Sequence, residues 1–418
     1  MDRREFLKAA SAAGCLACGV RHLAFAADGA NRPFLLTLFL RGGADGLQLV
    51  GPSADPDYVA ARPPELRVQE GGERPGLMLD QSLDAKLGFG LHADAQPLAD
   101  LYKAEQLAIV HAVGLLDGTR SHFVAQDMIE RGVGEEKRVM STESGWLARA
   151  LEGEHGRVPA YSATSSPAFA LHGRIPVLSA SDIGAGLGLP WGAPTADFLQ
   201  TLSAAGSSPA HQAGLAALDM LHAVDGPLPR DAANRVLPYT PAGKARYDGA
   251  GELARSLSSV ARLARMDQGL AGACVDHGGW DTHEGQAGRF ANQVRQLSLG
   301  LAAFHEDMAA SHHKCLVVVM TEFGRRLRAN KSGGTDHGHG SCWLVLGEGV
   351  RGGRMVGRWP GLATPRLDQG VDLAVTTDYR TVLAESLAGL GLVSHVPFPG
   401  WQRPTPLGLF RAPEPGHA

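Results

Sequence analysis

The sequence predicts an α/β fold with a mostly parallel central sheet flanked by helices. Two apolar runs point to it first. Phe34 to Leu40 reads FLLTLFL and Cys315 to Met320 reads CLVVVM; uninterrupted runs of this length are what strands buried on both faces look like. Each run ends in a chemically dense turn, Arg41-Gly42-Gly43-Ala44-Asp45-Gly46 after the first and Thr321-Glu322-Phe323-Gly324-Arg325-Arg326 after the second. The third observation is that further strand-like runs alternate with segments of helical period, the pattern of parallel strands joined by crossover helices.

Taken in order, the elements begin after an N-terminal segment that stands apart. Met1 to Ala26 has a charged start, an apolar small-residue stretch from Ala9 to Val20, and Ala24-Phe25-Ala26 as a cleavage pattern; the apolar stretch is too short to span a bilayer. Arg3-Arg4-Glu5-Phe6-Leu7-Lys8 resembles a twin-arginine export signal, so a periplasmic or otherwise exported destination is expected. The remainder, 27–418, is expected to form one α/β domain with loop-rich insertions near 51–90 and 155–245. No later apolar run is long enough for a membrane anchor. The strand Phe34–Leu40 comes first, and the segment 51–90, rich in Pro, Gly and charge, reads as a lid or rim. A helix over Ala95–Ala104, a strand over Leu107–Val113, a helix opened by Ser121 and a short helix over Trp146–Leu151 follow. Between Tyr161 and Pro241 the pattern weakens, with strand-like Ala168–Leu178 and helical Ala213–Ala223. Gly251–Met266 is an amphipathic helix, Leu270–Val275 a strand, Gln286–Ala310 a long helix, Cys315–Met320 the core strand, Trp343–Leu346 strand-like, and Asp378–Leu390 a helix capped by Thr377 or Asp378.

Composition narrows the function. The 418 residues are 44% hydrophobic and 20% charged, which excludes a disordered or fibrous chain. A net charge of −4 gives no basic surface for nucleic acid. Beyond the N-terminal segment the cysteines are Cys274, Cys315 and Cys342, widely spaced and odd in number, and they read as buried thiols. No G-x-G-x-x-G follows the first strand and no C-x-x-C offers a cluster site, which argues against a redox enzyme.

Candidate chemistry collects where strands end, as active sites do in open α/β sheets. Asp45 lies in the turn after the first strand; among glycines it is also an ordinary turn residue. His277-Gly278-Gly279-Trp280-Asp281-Thr282-His283 follows a strand and offers Asp281 and His283 as a carboxylate and an imidazole, ordinary ligands for zinc or manganese. Glu322 sits at the exit of the core strand, and Arg325 beside it has the fork that suits phosphate or sulfate oxygens. Gly333-Gly334-Thr335-Asp336-His337-Gly338-His339-Gly340 places two imidazoles and a carboxylate between glycines, with His337 and His339 as ligands and Asp336 as a carboxylate that orients one of them. Ser121, in Thr119-Arg120-Ser121-His122-Phe123, is either an N-cap or a nucleophile at a helix N-terminus, with His122 beside it to bind substrate.

Seven stretches, LFLRGGADGL, LAIVHAVG, TRSHFVAQDMIERG, GGWDTHEGQ, VVMTEFGRR, GTDHGHG and TTDYRTVLAESLAGLGL, resemble in order the exported bacterial family called domain of unknown function 1501. That family in turn resembles the alkaline phosphatase/sulfatase superfamily. The resemblance implies an alkaline phosphatase-like fold, one or two divalent metals (zinc or manganese) and hydrolysis of phosphate or sulfate esters. It matches Ser121 to the nucleophile, Asp45, Asp281, His283, Glu322 and His337 to metal ligands, and His339 to an extra ligand. The sequence departs from the pattern in having Glu322-Phe323 where Asp-His is common, a D-x-H middle pair, and no C-x-P-x-R, so a formylglycine sulfatase is not expected. The expected partner is a small anionic ester or, if catalysis has been lost, another protein of the cell envelope, for which the chain would serve as a scaffold.

Overall fold

The computed structural model describes residues 32–347, 349–392 and 397–411. The proposed export segment, 1–26, lies outside the described residues. The strands are β1 (Phe34–Leu40), β2 (Val50–Pro52), β3 (Leu77–Met78), β4 (Phe89–Leu91), β5 (Leu107–Gly114), β6 (Ala160–Ser162), β7 (Val177–Ser179), β8 (Gly272–His277), β9 (Cys315–Met320), β10 (Ser341–Gly347), β11 (Arg354–Val356) and β12 (Thr377–Asp378). The α-helices are α1 (Gly46–Leu49), α2 (Pro56–Ala61), α3 (Gln96–Lys103), α4 (His122–Arg131), α5 (Trp146–Ala150), α6 (Ala193–Ala204), α7 (Pro209–Asp225), α8 (Leu253–Ala264), α9 (Gln286–Ala310) and α10 (Tyr379–Gly389).

The main sheet has the order β11-β5-β10-β9-β1-β8-β6-β7, with β12 also beside β5. Every pairing is parallel except those of β10, which runs antiparallel to β9 and β5. The sheet is therefore mixed and mostly parallel, as the apolar runs predict. β1 lies between β9 and β8, and all seven of its residues are buried. Successive side chains of a strand point to opposite faces. Leu36, Leu38 and Leu40 accordingly join one core cluster and Leu35 and Phe39 the other; Val317 and Val319 of β9 divide from Leu316 and Val318 in the same way. α3, α8 and α9 cover the first face, and α4, α5 and α10 the second.

The segments read as insertions have their own local order. Across 50–91, β2, β4 and β3 form a small antiparallel sheet. The expected strand over Ala168–Leu178 is corrected: Phe169–Leu171 is a 3-10 turn and only Val177–Ser179 is extended, because Gly173 and Pro176 interrupt the run. Cys274, Cys315 and Cys342 are buried and free.

The small sheet meets the large one at His111 of β5. Its ring packs edge-on to Phe89 and Trp359, its Nε2 lies 2.9 Å from the Val50 carbonyl, and its Nδ1 accepts the Ala112 N–H at 2.9 Å. Burial lowers this imidazole to about 4, and burial lowers His92 to about 4 as well. In the unfolded chain a histidine titrates near 6.5, as for any exposed imidazole. Below that value the unfolded state binds protons that the folded state refuses, so the stability is intact above pH 6.5 and is lost as pH falls toward about 4. With chelator present, the urea midpoint should drop across this window, by on the order of a few kcal/mol in stability for the two groups. His111→Gln should remove this imidazole's share of the drop and leave that of His92 and of His277, which burial also lowers to about 4. A midpoint constant from pH 6.5 to 4 would refute the assignment.

Candidate metal centre

Because β10 is reversed, the loop entering it meets the loops leaving β1, β5, β8 and β9 at one edge of the sheet. The meeting is close. Gly324 and Gly338 exchange backbone hydrogen bonds with the facing strand of loop, Gly324 N–H to the His339 carbonyl at 2.8 Å and Gly338 N–H to the Gly324 carbonyl at 2.9 Å. A Cβ at Gly324 would lie 1.9 Å from the Gly340 carbonyl oxygen. Gly42, at φ +118°, abuts the Asp281 N–H so closely that a Cβ there would lie 2.5 Å from it. These glycines let the loops after β1, β8 and β9 and the loop before β10 pack backbone to backbone.

Three imidazoles and one carboxylate converge there. The His283 and His337 Nε2 atoms are 2.9 Å apart, and Asp281 Oδ1 lies 3.0 Å from the first and 3.2 Å from the second. His122 Nε2 approaches the other oxygen, Asp281 Oδ2, at 3.6 Å, beyond hydrogen-bond range, and has no partner although it is buried. Ligand atoms of His122, Asp281 and His337 all lie within 4.8 Å of one another.

The far side of each ring decides what the near side presents. His122 Nδ1 meets Glu322 Oε1 at 2.8 Å, His337 Nδ1 meets the Arg120 carbonyl at 2.9 Å, and His283 Nδ1 faces Asp336 Oδ1 at 3.4 Å. An acceptor at Nδ1 holds the proton on that nitrogen and leaves the Nε2 lone pair turned inward. Two such lone pairs at 2.9 Å repel unless a cation or a proton lies between them. Burial pushes His337 below its ordinary value, against the hydrogen bond to Asp281, which disfavours the extra proton. Ligand bonds of about 2.0–2.1 Å to a tetrahedral zinc put ligand atoms about 3.3 Å apart; the separations among Asp281, His283 and His337, 2.9 to 3.2 Å, lie near that figure, and His122 Nε2 stands farther out, 3.6 Å from Asp281. The residues fit a divalent cation.

The electrostatics agree. Burial works against the charged form of Asp281, but the hydrogen bond and charge of Arg325, with the adjacent imidazoles, outweigh it and hold the carboxyl at about 2. Burial likewise opposes ionised Glu322, and its bonds with His122, Gln126 and the Gly42 N–H keep it below the ordinary range. His122 is raised, first by its bond to Glu322. Asp281 and His283 remain roughly half exposed, so the centre opens to solvent on one side.

The structure brings Asp281, His283 and His337 together as the sequence suggests, and it redistributes the other candidates. His122 points a nitrogen into the centre, where the sequence suggested substrate binding. Glu322 is not aimed at the centre: Oε1 accepts from His122, Gln126 and Gly42, and Oε2 from Thr321, so it orients His122 instead of ligating. Asp45 is closed off. Its two oxygens meet Arg62 at 2.8 and 3.0 Å, and Gln286 donates to Oδ2 at 2.7 Å. His339 is turned away, with Nε2 on the Leu115 carbonyl at 2.8 Å and Nδ1 on Asp368 at 3.1 Å.

Arg325 also needs correcting as a binder of ester oxygens. Its guanidinium is fully buried and donates to the carbonyls of Gly42, Gly43, Trp280 and Thr335 and to Asp281. It ties the loops together, and its full burial keeps it from substrate. Ser121 caps α4 by backbone conformation only; its side chain makes no capping hydrogen bond and it is exposed. Gln126 and Arg62 were missed. Gln126 was detectable, lying four residues after His122 and hence on the same helical face.

Fold and centre together define an α/β protein with a histidine-rich candidate metal site at one edge of its sheet. Residues 251–392 match the model of a family described as protein of unknown function (DUF1501). That stretch supplies Asp281, His283, Glu322 and His337, whereas Asp45, Ser121 and His122 precede it. No curated protein matches. Among solved structures the chain is similar to Ps i-CgsB in complex with k-i-k-neocarrahexaose, at 9% identity and a TM-score of 0.39, over 87% of this chain and 73% of that one. It is similar to the C-terminal periplasmic domain of EcEptC from Escherichia coli in complex with Zn, at 7% identity and 0.33, over 77% and 74%. A third is the lipoteichoic acid synthase LtaP from Listeria monocytogenes, at 8% identity and 0.30, over 78% and 68%.

Proposed function

We propose that this chain is an exported, metal-dependent hydrolase of phosphate or sulfate esters with Ser121 as nucleophile. One observation carries the reading: three imidazoles, each oriented through Nδ1, turn Nε2 toward Asp281. His122, Asp281, His283 and His337 would hold the cation, zinc or manganese by donor type. When bound, it would polarise the ester and lower the pKa of a nearby hydroxyl.

The chain's own groups supply the rest. Ser121 precedes the ligand His122, and the Arg120 carbonyl anchors His337, so the Ser121 backbone is held from both sides. It stands at the N-terminus of a ten-residue helix, where backbone N–H groups and the dipole favour an anion. Ser121 Oγ attacks phosphorus or sulfur, the bond to the alcohol oxygen breaks, and the alcohol leaves with a proton. Water then cleaves the seryl ester and restores the hydroxyl. Arg325 takes no part, which leaves the non-bridging oxygens to the helix N-terminus. Export rests on the N-terminal segment; among the described residues no helix is long and apolar enough to cross a membrane.

The test is turnover of aryl phosphates and sulfates by metal-replete protein. Ser121→Ala should reduce it by on the order of a thousandfold or more, with metal content unchanged. The commitment of Arg325 to backbone favours a second reading, a metal-stabilised scaffold of the cell envelope. No turnover across the ester panel, with a co-purifying partner retained by Ser121→Ala, would establish that reading and reject the first.

A further inference from the structure

Beside the metal centre a groove of about 630 Å³ runs along α4 and the segment following β6. Its lining includes Arg41, Phe123, Asp127, Ser165, Ser166 and Asp276. It adjoins the centre through α4: Phe123 follows the ligand His122, and Gln126, also in the lining, shares Glu322 Oε1 with His122.

We propose that this trough holds the body of an uncharged, hydroxyl-rich chain, an oligosaccharide, whose esterified unit reaches the metal centre. Three features of the walls select that class. The ring of Phe123 is 88% exposed, an apolar platform suited to the C–H face of a sugar. Ser165 and Ser166 are exposed with side-chain hydroxyls free to exchange hydrogen bonds. Asp127 and Asp276 are held through Oδ1 by Arg131 and Arg41, which fixes the carboxylates and leaves each Oδ2 to accept from a ligand hydroxyl. Charge excludes the alternative. Arg41 is the one cationic residue in the groove's lining and is already paired with Glu130 and Asp276, while Asp127, Glu130 and Asp276 make the trough acidic. A polyanionic chain would find no unpaired cation here, since Arg131 at the groove's margin is likewise bonded to Asp127, so the ester at the centre should be the substrate's one anionic group.

The proposal rests on the hydrolase reading for the fate of the ester, but the binding of the chain body is measured without turnover. Cellohexaose, maltohexaose and agarohexaose are titrated calorimetrically into the whole metal-replete protein, with hyaluronan hexasaccharide as the anionic comparison. At least one neutral hexamer should bind, and Phe123→Ala should weaken it about tenfold. Ser166→Arg, which fills the trough with a bulky side chain, should weaken it too. No binding of any neutral hexamer, tighter binding of the anionic one, or affinities untouched by both substitutions overturns the proposal. Failure to hydrolyse aryl esters while a hexamer binds rejects the hydrolase reading and leaves the groove assignment standing.

Discussion

Asp281→Asn is expected to empty the centre of metal and to abolish ester turnover with it. Asp281 is the carboxylate that the three imidazoles share, with Oδ1 at 3.0 and 3.2 Å from two of them and Oδ2 toward the third. The substitution keeps the shape and removes the charge. It has a second electrostatic consequence. Arg325 donates to Asp281 Oδ1 at 2.7 Å, and its guanidinium is fully buried, so the variant leaves an uncompensated cation beside the place a metal would occupy. Both effects act against a bound cation. Glu322→Gln should be milder, because Glu322 acts through His122; losses of about 10–100-fold in metal affinity are usual for such orienting groups. The order of effect is therefore Asp281→Asn, then Glu322→Gln, with Ser121→Ala retaining its metal. Elemental analysis after desalting, and titration against a chelator of known affinity, read that order directly. An Asp281→Asn protein that holds as much metal as the wild type would remove the metal centre from the account.

The sequence made the strands and the chemical loops legible, and left their assembly largely hidden. β1 and β9 are uninterrupted apolar runs because both faces of the sheet are covered, and periodicity reports that directly. Periodicity does not report direction, so nothing in Ser341–Gly347 distinguished a reversed strand from a parallel one. That reversal brings His337 to the same edge as Asp281 and His283. Three-residue strands such as β6 carry too little pattern to detect. The division of labour among acids was hidden for a different reason. Asp45, Asp281 and Glu322 each follow a strand, and which one faces the centre depends on what covers the other two. Glu322 is covered by His122 and Gln126 from α4, and Asp45 by Arg62, a residue of the segment read as a rim. Neither partner is near its acid in the chain.

The Arg62–Asp45 pair makes the second large effect, on stability. Both side chains are fully buried, and the guanidinium meets the carboxylate through two bonds of 2.8 and 3.0 Å. Arg62 also donates to the carbonyls of Leu66, Arg326 and Leu327, so it joins the rim to the loop that follows β9. Arg62→Ala leaves a buried carboxylate with only Gln286, the Gln48 N–H and a long contact from Thr335, and should cost about 3–5 kcal/mol, the usual price of breaking a buried ion pair from one side. The urea midpoint should fall at unchanged slope. Replacing both members by apolar residues of similar volume, Asp45→Leu with Arg62→Met, should cost less than Arg62→Ala alone, because no charge is stranded. Asp45→Asn separates the two roles open to this acid. A structural carboxylate predicts lowered stability with metal content intact, whereas a metal ligand predicts loss of metal. Since both Asp45 oxygens are occupied by Arg62, with Gln286 a further donor, the metal should stay, and its loss would return Asp45 to the ligand set that the family resemblance implies.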